Sequence, residues 1–120
     1  MATHNNFGAL GEKIARNFLI EKGYLILEKN WRYRKAEVDI IAQKENILAI
    51  IEVKARSSDY FGNPQDFVNS KKIKLLVEAT NEYVISKNLD IEVRFDLITI
   101  LGKNQNFKIE HFENAFLYFQ

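Results

Sequence analysis

Apolar residues recur along the chain with two different periods, and the switch between them divides it into helices and strands. Leu10, Ile14 and Phe18 are spaced by four, with Ala15 and Leu19 alongside, which draws one apolar stripe on a helix. Asn5 or Asn6 can cap its start, and it should run to about Lys22, where Gly23 suits a left-handed C-terminal position. Tyr24 to Trp31, rich in Leu, Ile and aromatic residues, reads as a strand, and Lys29 to Lys35 as a basic turn. Glu37 to Gln43 and Ile47 to Ala55 read as two more strands joined by the short turn Lys44-Glu45-Asn46. Arg56 to Asp66, carrying Gly62 and Pro64, is a polar loop. Ser70 can cap a second helix from Lys71 to about Lys87, with Ile73, Leu76, Val77, Tyr83 and Val84 on one face. Asn88-Leu89-Asp90 ends it. Ile91 to Leu101 is a fourth strand, Gly102 to Asn106 a turn, Phe107 to Phe112 a last short strand, and the apolar tail Ala115 to Phe119 should pack down.

The order α-β-β-β-α-β-β implies an α/β fold with a mixed central sheet flanked by helices. Strands two and three should form an antiparallel hairpin. The passage from strand three through the second helix to strand four is long enough to pair those strands in parallel. No internal repeat interrupts this order, and residues 1–120 are expected to form a single domain.

Composition narrows the chemistry. The 120 residues are 47% hydrophobic with one proline and five glycines, enough for a core and too few breakers for a long linker. Net charge is +1, so any surface for nucleic acid must be a local basic patch rather than a global field. The absence of cysteine excludes disulfides, thiolate metal sites and cysteine nucleophiles. No apolar run exceeds five residues, against the roughly 20 a membrane helix needs, and Met1 to Gly8 has no apolar signal core. A cytoplasmic protein without membrane partners is the expectation.

The densest chemistry lies on the predicted hairpin. Glu37-Val38-Asp39 is followed, after twelve intervening residues, by Glu52-Val53-Lys54. Strand alternation puts Glu52 and Lys54 on one face and Val53 in the core, and should put Val38 and Ile40 on one face with Glu37 and Asp39 on the other. If Asp39 pairs with Glu52, two carboxylates meet at one level; a one-residue slip would separate them. Adjacent carboxylates repel, and a hard divalent cation such as Mg²⁺ or Mn²⁺ relieves the repulsion. With the ammonium of Lys54 beside it, such a centre suits phosphodiester hydrolysis. The plain alternative is three solvated strand charges. The apolar Ile47–Ile51 run argues against it, because charges ending so buried a strand are costly without a partner.

Several segments together resemble the YraN-like family of bacterial proteins assigned as endonucleases, in the restriction-endonuclease-like PD-(D/E)xK superfamily. They include Gly8-Ala9-Leu10-Gly11-Glu12, Gly23-Tyr24, Asn30-Trp31-Arg32, Glu37-Val38-Asp39-Ile40-Ile41-Ala42, Ile51-Glu52-Val53-Lys54-Ala55-Arg56, Phe61-Gly62, Ser70-Lys71 and Arg94-Phe95-Asp96, and the match they mark spans nearly the whole chain. The resemblance implies a restriction-endonuclease-like fold. It implies Asp39 and Glu52 as metal ligands with the Val53 carbonyl as a third donor, Lys54 as catalytic lysine, and Glu12 matching a helix-one glutamate that reaches the active site in archaeal Holliday-junction resolvases. The family usually carries glycine where Ala36 stands, a change that can alter the local bend but removes no functional group.

Other residues carry two readings each. Glu12 can instead be a favourable charge near a helix start. Lys29, Arg32, Arg34 and Lys35, interleaved with Trp31 and Tyr33, suit phosphates and exposed bases, or form a solvated basic turn with Trp31 in the core. Arg56 is placed to clamp a phosphate. Lys71 and Lys72 sit where a helix dipole disfavours cations, and Lys71 can bind a backbone phosphate. Gln65 and Asp66 carry a weak signal as loop groups near the site. His4 and His111 lack metal-ligand spacing, and Arg94 with Asp96 reads as a structural pair. The leading expectation is a Mg²⁺- or Mn²⁺-dependent endonuclease acting on DNA, branched or processed. The alternatives are a nucleic-acid-binding module of the same fold without activity, and a protein-interaction domain using the Phe116–Phe119 strip. A homodimer would suit cleavage of both strands of a junction, but no dimer surface is legible.

Overall fold

A computed structural model of the chain describes residues 3–57, 69–103 and 106–115. The expectations for Gly62, Pro64, Gln65, Asp66 and the strip 116–119 fall outside them. Seven elements follow in order: α1 (Thr3–Glu21), β1 (Leu25–Tyr33), β2 (Ala36–Lys44), β3 (Ile47–Ser57), α2 (Ser70–Ser86), β4 (Glu92–Lys103) and β5 (Asn106–Phe112). This is the expected α-β-β-β-α-β-β sequence of elements. The strands form one mixed sheet in the order β1-β2-β3-β4-β5, in which β3 and β4 run parallel and every other pair antiparallel. The helical crossover through α2 makes that parallel pair possible. The architecture is consistent with a restriction-endonuclease-like core. Among the described residues no helix is long and apolar enough to cross a membrane.

Alternation along β3 and β4 sends residues to two separate cores. Ala49, Ile51, Val53, Ile98 and Ile100 pack with Ala15 and Leu19 of α1, while Leu48, Ile50 and Leu97 pack with Leu76, Ala79 and Tyr83 of α2. The helices therefore cover opposite faces of the sheet. On α1 the buried line is Gly11, Ala15 and Leu19; Leu10, expected on the stripe, is 43% exposed. On α2, Val77 is likewise turned to solvent.

Element ends shift from the sequence expectation for local reasons. α1 begins at Thr3, so Asn5 and Asn6 lie within the helix and neither is its cap. Gly23, at φ 96°, closes α1 as expected: its N–H donates to the Ile20 carbonyl and that of Tyr24 to the Leu19 carbonyl. The cap of α2 is Asn69, whose side chain accepts the Lys72 N–H, and Ser70 is the first helical residue. The basic segment from Lys29 is mostly strand: β1 continues to Tyr33, and Arg34, at φ 56°, turns the chain into β2. Ala36 is buried at the start of β2 without a positive φ, so alanine fits there unstrained.

One expectation about facing fails. Val38 packs on the α2 side and Ile40 on the α1 side, although they are two residues apart. The β1–β2 ladder passes from Lys29↔Ile40 to Trp31↔Val38, skipping Asn30, which has φ 51° and lies opposite Asp39. The regular alternation of β2 breaks at Asp39.

The close approach of α1 to β3 yields a paired test. A Cβ on Gly11 would stand 2.7 Å from the Cβ of Ala55, which has no flexible end to swing away, whereas one on Gly8 meets nothing within 4 Å. Gly11→Ala should lower stability by about 1–3 kcal/mol through overpacking, despite the better helix propensity of alanine. Gly8→Ala should raise it by up to about 1 kcal/mol. Urea unfolding of the two variants checks both signs.

Candidate functional site

Pairing between β2 and β3 runs from Lys44↔Ile47 to Ile40↔Ile51. The next opposed positions are Asp39 and Glu52, where backbone pairing gives way to side-chain chemistry. The Asp39 Oδ2 accepts the Val53 N–H at 2.8 Å, so the carboxylate takes the place a β2 carbonyl would hold. Glu52 is only 3% exposed. Its Oε2 accepts from the Lys72 ammonium at the start of α2, and the Lys54 ammonium lies 3.2 Å from the same oxygen. Its other oxygen, Oε1, is buried and has no hydrogen-bond partner among the described residues.

Burial first, and then the Glu52 charge, push the Asp39 carboxyl up to about 7, against the opposing Val53 hydrogen bond. Glu12 belongs to the same electrostatic neighbourhood. Burial raises its pKa, a hydrogen bond from Asn30 opposes that, and the charges of Glu37 and Glu52 raise it further. Burial alone would lower Lys72, but Glu52 and Asp39 more than offset it and hold the ammonium above the ordinary lysine range. The charge of Glu52 thus raises both Asp39 and Glu12, and the Lys72 ammonium opposes it at Asp39.

Beside these groups opens a groove of about 340 Å³. Its apolar floor is Ala36, Leu75 and Leu76, and its polar walls are Lys35, Glu37, Asp39, Asn69, Lys71 and Lys72. The other candidates are distributed around it. Lys35 and Lys71 are exposed on the walls. Arg32 is exposed and pairs with Glu37 at 3.6 Å, and the exposed Arg34 lies over the Tyr33 ring at 5.1 Å; neither lines the groove. Arg56, half-buried, donates to the Ala55 carbonyl at 2.9 Å. Val53 turns its side chain into the α1-side core. Trp31 stacks on Tyr33 and meets Tyr83 of α2 edge-on at 5.1 Å, so it packs against the core.

Among the described residues no group of three or more His, Asp or Glu side chains is arranged to hold a metal ion. A cation there would rest on two carboxylates, completed by backbone or water oxygens. The residues fit that role in chemistry: two hard oxygen donors, one raised in pKa by burial and then by the charge of the other, and a buried carboxylate oxygen without a donor.

Sequence reasoning saw Lys72 only as a cation at a helix start and gave it and Asn30 no role at the site, and it did not name Asn69. It also left His111 without a role, whereas the structure builds it into a second charged cluster on the α1 side. There Asp96, fully buried, accepts from Arg94 at 2.8 Å and bonds His111 Nε2 at 2.8 Å, while the Lys22 ammonium reaches His111 Nδ1 at 2.9 Å. The Arg94–Asp96 pair is structural, as expected.

Comparison with known proteins places this geometry in a family. The model for "Uncharacterised protein family UPF0102" matches residues 11–100, which include Glu12, Asp39, Glu52, Lys54 and Lys72. A UPF0102 protein of Flavobacterium psychrophilum is 61% identical over 99% of this chain and the whole of its own length. One from Flavobacterium johnsoniae is 52% identical with the same coverage, and one from Phocaeicola vulgatus 47% identical over 97% of this chain and 96% of its own.

The raised Asp39 carboxyl gives a signed pH prediction. In the folded chain it holds its proton up to about pH 7, whereas in the unfolded chain it releases it near 3.8. Its protonated form therefore contributes stability that is present at low pH and lost as pH rises through about 7. Asp39→Asn keeps an acceptor for the Val53 N–H and removes the charge. Without divalent ions it should be more stable than the parent at pH 8, on the order of 1–2 kcal/mol, with the gain shrinking toward pH 5. Thermal melts of both proteins in chelator between pH 5 and 9 test this.

Proposed function

The chain belongs to the UPF0102 family, the YraN-like family, and from that premise we propose that it is a Mg²⁺- or Mn²⁺-dependent endonuclease hydrolysing DNA phosphodiester bonds, with branched or processed DNA as substrate. One observation carries the reading: two carboxylates from adjacent strands, Asp39 and Glu52, converge where the β2–β3 ladder ends, with an ammonium group 3.2 Å from the second.

Asp39 and Glu52 would hold the divalent ion, with the Val53 carbonyl as a further donor. The ion supplies charge neutralisation and activation of water at the scissile phosphate. The Val53 N–H fixes one Asp39 oxygen and leaves the other for a ligand. Lys54 sits on the same strand face as Glu52, so its ammonium is positioned to stabilise negative charge accumulating on the phosphoryl oxygens. Lys35 and Lys71 line the groove and would draw in the backbone of a nucleic-acid strand. Glu12 lies close enough for its charge to raise the Asp39 carboxyl, the position expected of a group that orients a water. Arg32, Arg34 and Arg56 lie on the flanks and would contribute contacts away from the scissile bond.

A second reading has an observation of its own. Glu52 is already paired with two lysine ammonium groups, a charge balance that needs no metal. That favours a nucleic-acid-binding module with the same fold and no hydrolysis.

Incubation with linear, nicked, flapped and four-way DNA in Mg²⁺ or Mn²⁺ separates the two. The endonuclease reading expects cleavage of at least one substrate, abolished by Asp39→Ala or Glu52→Ala and reduced about 10²–10³-fold by Lys54→Ala. Salt-sensitive binding that survives Asp39→Ala, with no cleavage of any substrate, would replace it with the binding-module reading.

A further inference from the structure

Glu52 receives its cations unevenly. Two ammonium groups converge on Oε2, while Oε1 is buried with no partner among the described residues. A carboxylate offers about four acceptor sites, so this arrangement crowds one oxygen and starves the other. The two cations also differ in standing. Lys54 is fixed to the strand that carries Glu52 and is 22% exposed, whereas Lys72 comes from α2, is 36% exposed and lies at the wall of the groove.

We propose that Lys72 is an exchangeable counter-cation: it neutralises Glu52 while no divalent ion is bound, gives way when one arrives, and then presents its ammonium to a substrate phosphate in the groove. The proposal rests on the metal-site reading above and adds a residue and an order of events to it.

Charge counting supports it. With Asp39, Glu52 and the neighbouring Glu12 ionised, the acids carry −3 against +2 from Lys54 and Lys72. A divalent ion added to this set would leave +1 in a partly buried site, which is costly. Displacing Lys72 toward solvent restores neutrality, and a phosphodiester drawn into the groove then pairs with the released ammonium. Lys72 can move without disturbing the buried α2 residues Leu76, Ala79 and Tyr83, which lie on later turns. Its own N–H stays capped by Asn69, so the helix start remains fixed while the side chain swings. At that start the helix dipole disfavours the ammonium and favours an anion, so the released lysine is most stable once a phosphate has joined it. Metal and nucleic acid should therefore strengthen each other's binding through Lys72.

The test is calorimetric titration of Mn²⁺ into the metal-free chain, its Lys72→Gln variant, which keeps a hydrogen-bond donor for Glu52, and Lys74→Gln, which removes an exposed charge from the same helix. The expected result is Mn²⁺ binding about tenfold or more tighter in Lys72→Gln, with Lys74→Gln close to the parent. If the parent binds Mn²⁺ and Lys72→Gln binds no tighter, the proposal is overturned while the metal site stands. If no variant binds Mn²⁺, the metal-site reading itself is overturned and the proposal with it. Should Lys72→Gln fail to fold, the parent chain still decides. Its Lys72 ammonium signal in lysine side-chain NMR should lose its protected, ion-paired character on Mg²⁺ saturation, and an unchanged signal in the saturated protein would overturn the proposal.

Discussion

The carboxylate of Asp39 bonded to the Val53 N–H is the contact on which the site depends. Beyond Ile40 and Ile51 the backbones of β2 and β3 no longer pair, and an amide at that point needs an acceptor. Asp39 supplies it, and in doing so brings its charge beside Glu52 in a region that has little water. The hydrogen bond is favourable and the proximity of the acids is not. The site is thus assembled by a backbone requirement that tolerates an electrostatic strain, and the nearby lysines are the groups that relieve it.

Much of this was legible in residue order. The two periods of apolar residues gave seven elements and a mixed sheet, because a helix or strand must bury one side whatever its neighbours are. The spacing of Asp39 and Glu52 around a short turn gave the opposition of the two acids, because hairpin register follows from turn length. What escaped depended on a single dihedral or on helix phase. The alternation of β2 breaks at Asp39, opposite the left-handed Asn30, so Val38 and Ile40 part company, and an asparagine in a strand does not announce its φ. Lys71 and Lys72 were both visible as cations at a helix start. Phase distinguishes them: Lys72 is four residues before the buried Leu76 and so faces the sheet, while Lys71 faces outward. Asn69, not Ser70, is the cap because the helix starts one residue earlier than the apolar pattern suggests.

The α1 face carries an independent charged system. Burial would raise the pKa of Asp96, but bonds from His111 and Arg94 overcome this and hold it below the ordinary aspartate range. Its partners come from β4, β5 and, through Lys22, the end of α1. These contacts join segments far apart in sequence, and none of them lines the groove. The sheet thus separates a balanced, fully bonded cluster on one side from a crowded, incompletely bonded one on the other.

That separation has a consequence for how the chain finds its register. In the parallel β3–β4 pair, Ile51 lies beside Asp96 and Glu52 beside Leu97. Two buried acids thus occupy neighbouring rungs and point to opposite faces. A slip of β4 by one rung would tear Asp96 from Arg94 and His111 and thrust it among the apolar side chains beneath α2, on the side already holding Glu52. Misaligned pairings of these two strands are therefore penalised by charge as well as by packing, and Asp96 acts as a proofreading peg for the sheet that carries the site.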